Sequence, residues 1–332
     1  MKVFVTGAAG FVGNAVVRSL LARGHEAIGL VIDKRDAVKV ERVGGQAVCG
    51  DLRTAEGLAI AAGNARSADG VIHCTKSFWP ETLEADAARR GELIKRETEE
   101  WESVDLATLN VVLDALEGTG KPFVFSSSSS VFSDTGDAIF DEDSPVPETA
   151  TYGSWRIRHE RLVLQAASRN IRTVAMRCAM IFGPHPDDLP LGRPHPANMH
   201  QQLADRDSVG YLLPGDHLNT AVHVDAYADL YVLALEKAAP GSVFIGGTED
   251  YTPKTFALAL SYAYGYGGRI RGWTREEAAA VLGEGTAMKF LQDRIRTTSA
   301  KAKRVLGWQP KAPSLMECAM EEARRRYGAI ST

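Results

Sequence analysis

The sequence predicts an α/β fold, a doubly wound parallel sheet with a smaller C-terminal lobe, and three observations carry that expectation. Short apolar runs alternate with amphipathic segments through the first two-thirds of the 332 residues, the signature of repeated βαβ units. A glycine-rich turn separates the first run from the first amphipathic segment, in MKVFVTGAAGFVG. The rhythm then breaks at PHPDDLPLGRPHP (184 to 196), whose five prolines rule out a continuous helix and mark an irregular loop.

The elements follow in order. Expected strands are KVFVT (2 to 6), EAIGLVI (26 to 32), QAVCG (46 to 50), GVIHC (70 to 74), PFVFS (122 to 126) and RTVAMR (172 to 177). Between them, AVVRSLLARG (15 to 24), VDLATLNVVLDALEG (104 to 118) and SWRIRHERLVLQAAS (154 to 168) read as helices, and right-handed crossovers wind the sheet in both directions. The charged segment from 78 to 103 reads as a helical extension before the helix at 104, and a helical tail is expected from about 275 to 327. The dinucleotide-binding domain is expected at 1–180, with 219–245 returning to it. Residues 181–218 and 246–332 form the substrate lobe.

Composition narrows the partners. A formal net charge of −4 without a long basic block argues against nucleic acid and anionic membranes, so a small molecule is the expected partner. The four cysteines show no CxxC spacing and read as reduced, buried residues. The N-terminal apolar run is too short for a signal segment, and no run of about 18 apolar residues occurs. A cytoplasmic location follows as the expectation.

After the first strand come Gly7, Ala8, Ala9, Gly10, Phe11, Val12 and Gly13, then a helix. A pyrophosphate placed there meets the unpaired N–H groups of the helix N-terminus. Gly7 permits the tight turn, Gly10 the approach of phosphate and Gly13 the packing of helix on sheet, with Phe11 and Val12 among the contacts. Readers of NAD place a carboxylate about 20 residues further on, against the ribose diol. Here that point is near Val31; Asp33 comes two residues late and is followed by Lys34 and Arg35. The cations favour a 2′-phosphate and hence NADP, with NAD possible through Asp33.

With TGAAGFVG, the GDL at 50 to 52, the VIHC strand, FSSSSSVF and Tyr152, the chain resembles the extended and atypical short-chain dehydrogenase/reductase superfamily, in its NAD-dependent epimerase/dehydratase branch. The likeness runs on through MRCAMIFGP, AVHVDAYADLYVLALE and TSAKAKRVLGWQP. It implies a Rossmann-type fold in which Asp51 and Leu52 flank the adenine and the backbone at Cys74 and Thr75 lines the cofactor. Ser126, Tyr152 and Arg156 complete the cofactor contacts. It also implies a catalytic serine at Ser128 and a catalytic tyrosine at Tyr152, and a possible homodimer through the helices after the fourth and fifth strands.

In TYGSWR the resemblance meets an exception, because the family's lysine is replaced by Arg156. Hydride transfer to a carbonyl leaves an alkoxide that must be protonated, and a tyrosine needs a nearby cation to serve at neutral pH. Arginine supplies the charge but holds its proton above pH 12 and relays none. Ser128 anchors the carbonyl oxygen.

What is missing narrows the substrate. Where nucleotide-sugar enzymes of the family carry an asparagine and an arginine, this chain has Met180 and Asn219. Where sugar dehydratases carry an Asp-Glu pair it has Ser129 and Ser130. A reductase or alcohol dehydrogenase acting on a small to medium, largely apolar metabolite is the expectation, with Phe78, Trp79, Met180, Phe182 and Tyr211 as pocket walls. The alternatives are a non-redox dinucleotide-binding regulator or sensor, and an epimerase that uses bound NAD transiently. The histidines and aspartates near the proline-rich loop (His185, Asp187, Asp188, His195, His200) lack a metal-binding spacing, so no metal is expected.

Overall fold

The computed structural model describes residues 1–75, 87–148, 154–192, 200, 203, 207–283 and 291–328. Six parallel strands come first: β1 (Lys2–Thr6), β2 (Glu26–Val31), β3 (Gln46–Cys49), β4 (Gly70–His73), β5 (Pro122–Ser128) and β6 (Arg172–Cys178). Short strands β7 (Met180–Phe182), β8 (Val209–Leu212) and β9 (Asn219–His223) follow, then β10 (Ser242–Gly246), β11 (Glu249–Tyr251) and β12 (Ile270–Trp273). The main sheet has seven strands in the order β10-β6-β5-β4-β1-β2-β3. All of its pairings are parallel.

Successive side chains of a strand point to opposite faces, and both faces here are covered. Val3 and Val5 join one core with α1 (Phe11–Ala22) and α2 (Lys34–Glu41), whereas Phe4 joins the other with α3 (Ala55–Ser67). The second core is completed by α4 (Ala87–Leu116) and α5 (Ser154–Gln165), the first by α6 (Val224–Lys237). Strand order reverses between β1 and β4, and in such sheets ligands bind outside the carboxyl ends at that point.

The charged extension expected before residue 104 is continuous with the helix after it, from Ala87 to Leu116; positions 78–86, with Phe78 and Trp79, lie outside the described residues. The expected helical tail is broken. It consists of α8 (Arg275–Leu282), a short turn at Ala302–Leu306 and α9 (Leu315–Tyr327), because Gly307, Pro310 and Pro313 stop helix propagation.

The C-terminal lobe is built on two small sheets, β11-β9-β7 and β12-β8. Within 219–245, α6 and β10 belong to the main layer and β9 to the small sheet. The lobe's core gathers Val209, Leu315 and, from α7 (Pro253–Ala263), Phe256 and Leu260. Phe182 and Tyr211, expected as pocket walls, are buried in this core, and Met180 packs against it. Large apolar side chains gain most from complete burial. Among the described residues no helix is long and apolar enough to cross a membrane.

Candidate active site

The glycine loop is shaped by close backbone approach. Gly7 has φ +67°, and a Cβ there would lie 2.9 Å from the carbonyl oxygen of Cys74. A Cβ on Gly13 would lie 2.1 Å from the oxygen of Gly7. Only glycine fits either position. Gly10 caps α1 without a side-chain hydrogen bond, and no acidic residue stands in the first turn, so the N–H groups at Phe11 and Val12 face an end without a competing carboxylate. That cradle suits a pyrophosphate.

Phe11 turns its ring the other way, toward the proline-rich loop. It lies 5.2 Å from the His185 ring, and Gly192 packs so closely that a Cβ would reach within 2.1 Å of it. Asp187 of the same loop pairs with Lys39 of α2 at 2.8 Å. Asp188 pairs with Arg325 of α9, and the buried His200 bonds Gly210 O at 2.6 Å. These side chains therefore serve different partners; His195 is outside the described residues.

At the carboxyl ends of β2 and β3, two loops repeat one device. After β2, Asp33 accepts the N–H groups of Arg35 (2.8 Å) and Asp36 (3.1 Å) and caps α2. Arg35 also returns its guanidinium to Asp33 at 2.8 Å, which holds this carboxyl below the usual range, the backbone bond from Asp36 adding to it. After β3, Asp51 binds the Arg53 guanidinium at 2.7 Å, and Leu52 is buried beside it. Lys34 and Arg35 are exposed.

The carboxyl ends of β4 and β5 hold the remaining candidates. Cys74 N–H donates to Thr6 O at 3.3 Å, and Thr75 Oγ1 donates to Thr6 Oγ1 at 2.7 Å. Burial pushes the Cys74 thiol up to about 12, so it acts as a packing residue rather than a nucleophile. The serine run divides its members among partners. Ser126 Oγ meets Tyr231 OH at 2.5 Å, and Ser127 Oγ donates to Glu160 at 2.5 Å. Ser128 Oγ accepts from both Ser130 N–H (3.2 Å) and Ser130 Oγ–H (2.9 Å). With its oxygen engaged twice, Ser128 keeps its own proton for donation.

Arg156, in the first turn of α5, is buried and donates from Nη1 to Ser126 O at 2.5 Å. The guanidinium therefore stands at the end of β5. Tyr152 lies outside the described residues.

Four residues that sequence reasoning passed over, Asp105, His159, Glu160 and Arg177, surround these groups. Asp105 of α4 accepts from His73 Nε2 and from His159 Nδ1, both at 2.7 Å, within a fully buried cluster. Burial alone would raise this carboxyl's pKa, but the bonds from His159 and His73 outweigh it and hold Asp105 ionised far below the usual range. Next along α5, Glu160 forms a buried pair with Arg177 at 2.6 Å. A repeated carboxylate-histidine pattern at these separations leaves no local trace in a single sequence. Among the described residues no cluster of His, Cys, Asp and Glu could hold a metal ion.

Comparison with known proteins identifies the family and the fold. A family model described as the NAD dependent epimerase/dehydratase family matches residues 3–246. An uncharacterised protein of Schizosaccharomyces pombe is 29% identical over 324 residues, covering 95% of this chain and 97% of its own. The 4-hydroxy-2-methyl-3-oxo-4-farnesyl-3,4-dihydroquinoline-1-oxide ketoreductase of Stigmatella aurantiaca is 27% identical over 250 residues, covering 74% of this chain and 67% of its own. Among solved structures, the UDP-glucose 4-epimerase of Thermus thermophilus in complex with NAD superposes with a TM-score of 0.71 at 22% identity, over 98% of this chain and all of that one.

Proposed function

The chain belongs to the NAD dependent epimerase/dehydratase family, and from that premise we propose that it is an NADP(H)-preferring oxidoreductase interconverting a ketone or aldehyde with its alcohol. Its substrate in this reading is a small to medium, largely apolar metabolite. The observation that carries it is Ser128, whose oxygen accepts twice from Ser130 and so keeps its own proton for donation. A pre-oriented O–H is what a developing alkoxide requires.

When bound, the nicotinamide supplies or takes up the hydride. Residues 1–180 with 219–245 hold the dinucleotide, and 181–218 with 246–332 shape the substrate end. Tyr152 gives or takes the proton at the substrate oxygen, and Ser128 donates a hydrogen bond to that oxygen. Arg156 orients the ribose and favours the phenolate by its charge, but it passes no proton on. Any relay from Tyr152 to solvent runs through other groups.

NADP is supported by the adenosine end. The Asp33 carboxylate is occupied by its own loop and Arg35, which weakens its claim on a ribose diol, and Lys34 and Arg35 are exposed to meet a phosphate. Nucleotide sugars find fewer donors here, since Met180 offers none and Asn219, whose side-chain oxygen accepts Ile295 N–H at 2.7 Å, offers only a neutral amide in place of a charged group.

The test is consumption of NADPH or NADH by the purified chain across a panel of apolar ketones and aldehydes. Substrate-dependent consumption that vanishes in Tyr152→Phe supports the assignment. Tight nucleotide binding with no consumption, indifferent to Tyr152→Phe, would instead identify a regulator or sensor; retained NAD with no net turnover would identify an epimerase.

A further inference from the structure

We propose that Asp105 is a positioning residue: with His73 and His159 it ties α5 to the cofactor edge of the sheet, and so sets where Arg156 presents its guanidinium. The proposal rests on the reading of Arg156 as the cation at the cofactor ribose.

Five side chains form one connected path. Thr75 Oγ1 donates to Thr6 Oγ1 (2.7 Å), which meets His73 Nδ1 (2.8 Å); His73 Nε2 meets Asp105 Oδ1 (2.7 Å), and Asp105 Oδ2 meets His159 Nδ1 (2.7 Å). Thr6, His73, Asp105 and His159 are all buried. A carboxylate only accepts, so both facing imidazole nitrogens carry protons. The Thr6 oxygen accepts from Thr75, which leaves the Thr6 hydroxyl to donate to His73 Nδ1. Every bond then has its direction set from Asp105.

The two ends of the path give it meaning. Thr6 immediately precedes Gly7, and Thr75 follows Cys74, whose carbonyl abuts that glycine. At the other end His159 stands three residues beyond Arg156, on the neighbouring turn of α5. The His73 ring lies near parallel to the rings of Phe125 and Phe123, with centroids 6.0 Å and 6.3 Å away. Apolar packing holds a helix at a distance but tolerates sliding, whereas a carboxylate bonded at both oxygens has one satisfied register. A buried carboxylate is costly unless so bonded, which makes the arrangement a poor choice as plain filler.

The experiment titrates NADPH and NADH binding by fluorescence, alongside thermal unfolding, in the full chain. Asp105→Asn is expected to weaken nucleotide binding about tenfold, the equivalent of one lost hydrogen bond. Leu109→Ala, which thins the core on the same helix, is expected to lower the melting temperature and leave affinity within about twofold. His159→Asn keeps a donor near the position of Nδ1 and is expected to bind as wild type does. His159→Leu fills the space without a donor and is expected to behave as Asp105→Asn.

Affinity that follows lost stability in all variants alike, or that survives His159→Leu but not His159→Asn, overturns the proposal. Wild-type binding that is unchanged in Asp105→Asn overturns this proposal alone. Failure of the wild-type chain to bind either nucleotide overturns the cofactor reading and this proposal with it.

Discussion

Two helices bring their N-terminal turns to the carboxyl edge of the sheet, α1 and α5, and different physics holds each in place. α1 meets the sheet edge by close contact: glycines at 7 and 13 let backbone touch backbone, and Val16, Val17 and Leu20 bury their side chains below, while its polar ties run to other helices, from Asn14 to Lys39 O of α2 and from Arg18 and Ser19 to Asp225 and Asp229 of α6. α5 is seated by polar ties from three of its residues: Arg156 to Ser126 O, His159 to Asp105, and Glu160 to Ser127 and Arg177. Steric seating has no direction except contact, which suits a cradle for an anion. Polar seating fixes rotation, which suits a helix that must aim a guanidinium.

The sharpest way to break the contrast is Glu160→Ala. It leaves the buried Arg177 without its carboxylate and Ser127 without its acceptor, and a loss of ~3–5 kcal/mol is expected in denaturant unfolding. A loss under ~1 kcal/mol, the value of an exposed pair, would show that α5 rests on apolar packing after all.

Gly13→Ala attacks the other helix. Its Cβ would meet backbone atoms of Gly7 and Ala8, and because backbone cannot rotate aside, a loss of ~3 kcal/mol is expected together with nucleotide binding. Retained affinity at wild-type stability would mean that the loop opens without cost.

The C-terminal lobe extends the comparison through pH. Burial pushes the His200 pKa down to about 4, although its bond to Gly210 O opposes this. A base with a depressed pKa in the folded chain binds fewer protons than in the unfolded chain, whose ordinary value is near 6.5. Stability is therefore fully present above that pH and declines as pH falls toward 4. At pH 5 the cost is ~2 kcal/mol. Burial also lowers His185, His217 and His223, which contribute with the same sign. His200→Asn keeps a donor without titrating, so unfolding measured at about pH 7 and about pH 5 should show a smaller difference than in wild type.

Smaller effects separate chemistry from scaffold. Ser130→Ala should reduce turnover about tenfold, as Ser128 loses a bond that orients its proton, at a stability cost of ~1 kcal/mol. Unchanged turnover would mean that Ser128 needs no orientation. Least of all, Arg169→Ala removes pairs with the exposed Asp114 and Glu117 and should stay within ~1 kcal/mol.

How much of this was legible follows from the range of each interaction. The glycine loop, the strand at 122 and the Asp33 and Asp51 turns are local, so their residue types announce them. The serine run was legible as a strand end but not as a division of labour: Ser126, Ser127 and Ser128 differ only in the faces and partners that the sheet assigns them. Phe182 and Tyr211 read equally as pocket or core, and packing placed them in the core. The separation of 54 residues between Asp105 and His159 hides their bond from any local pattern.

By itself, then, the sequence determined the winding of the sheet, the glycine loop and the arginine at 156, since each depends on residue type within one turn or one strand. Only the tertiary structure decided which buried carboxylate meets which cation, and therefore how α5 is set against the cofactor edge. The reason is desolvation: a charge withdrawn from water must find partners within hydrogen-bond reach, and the fold, not the spacing along the chain, brings them there.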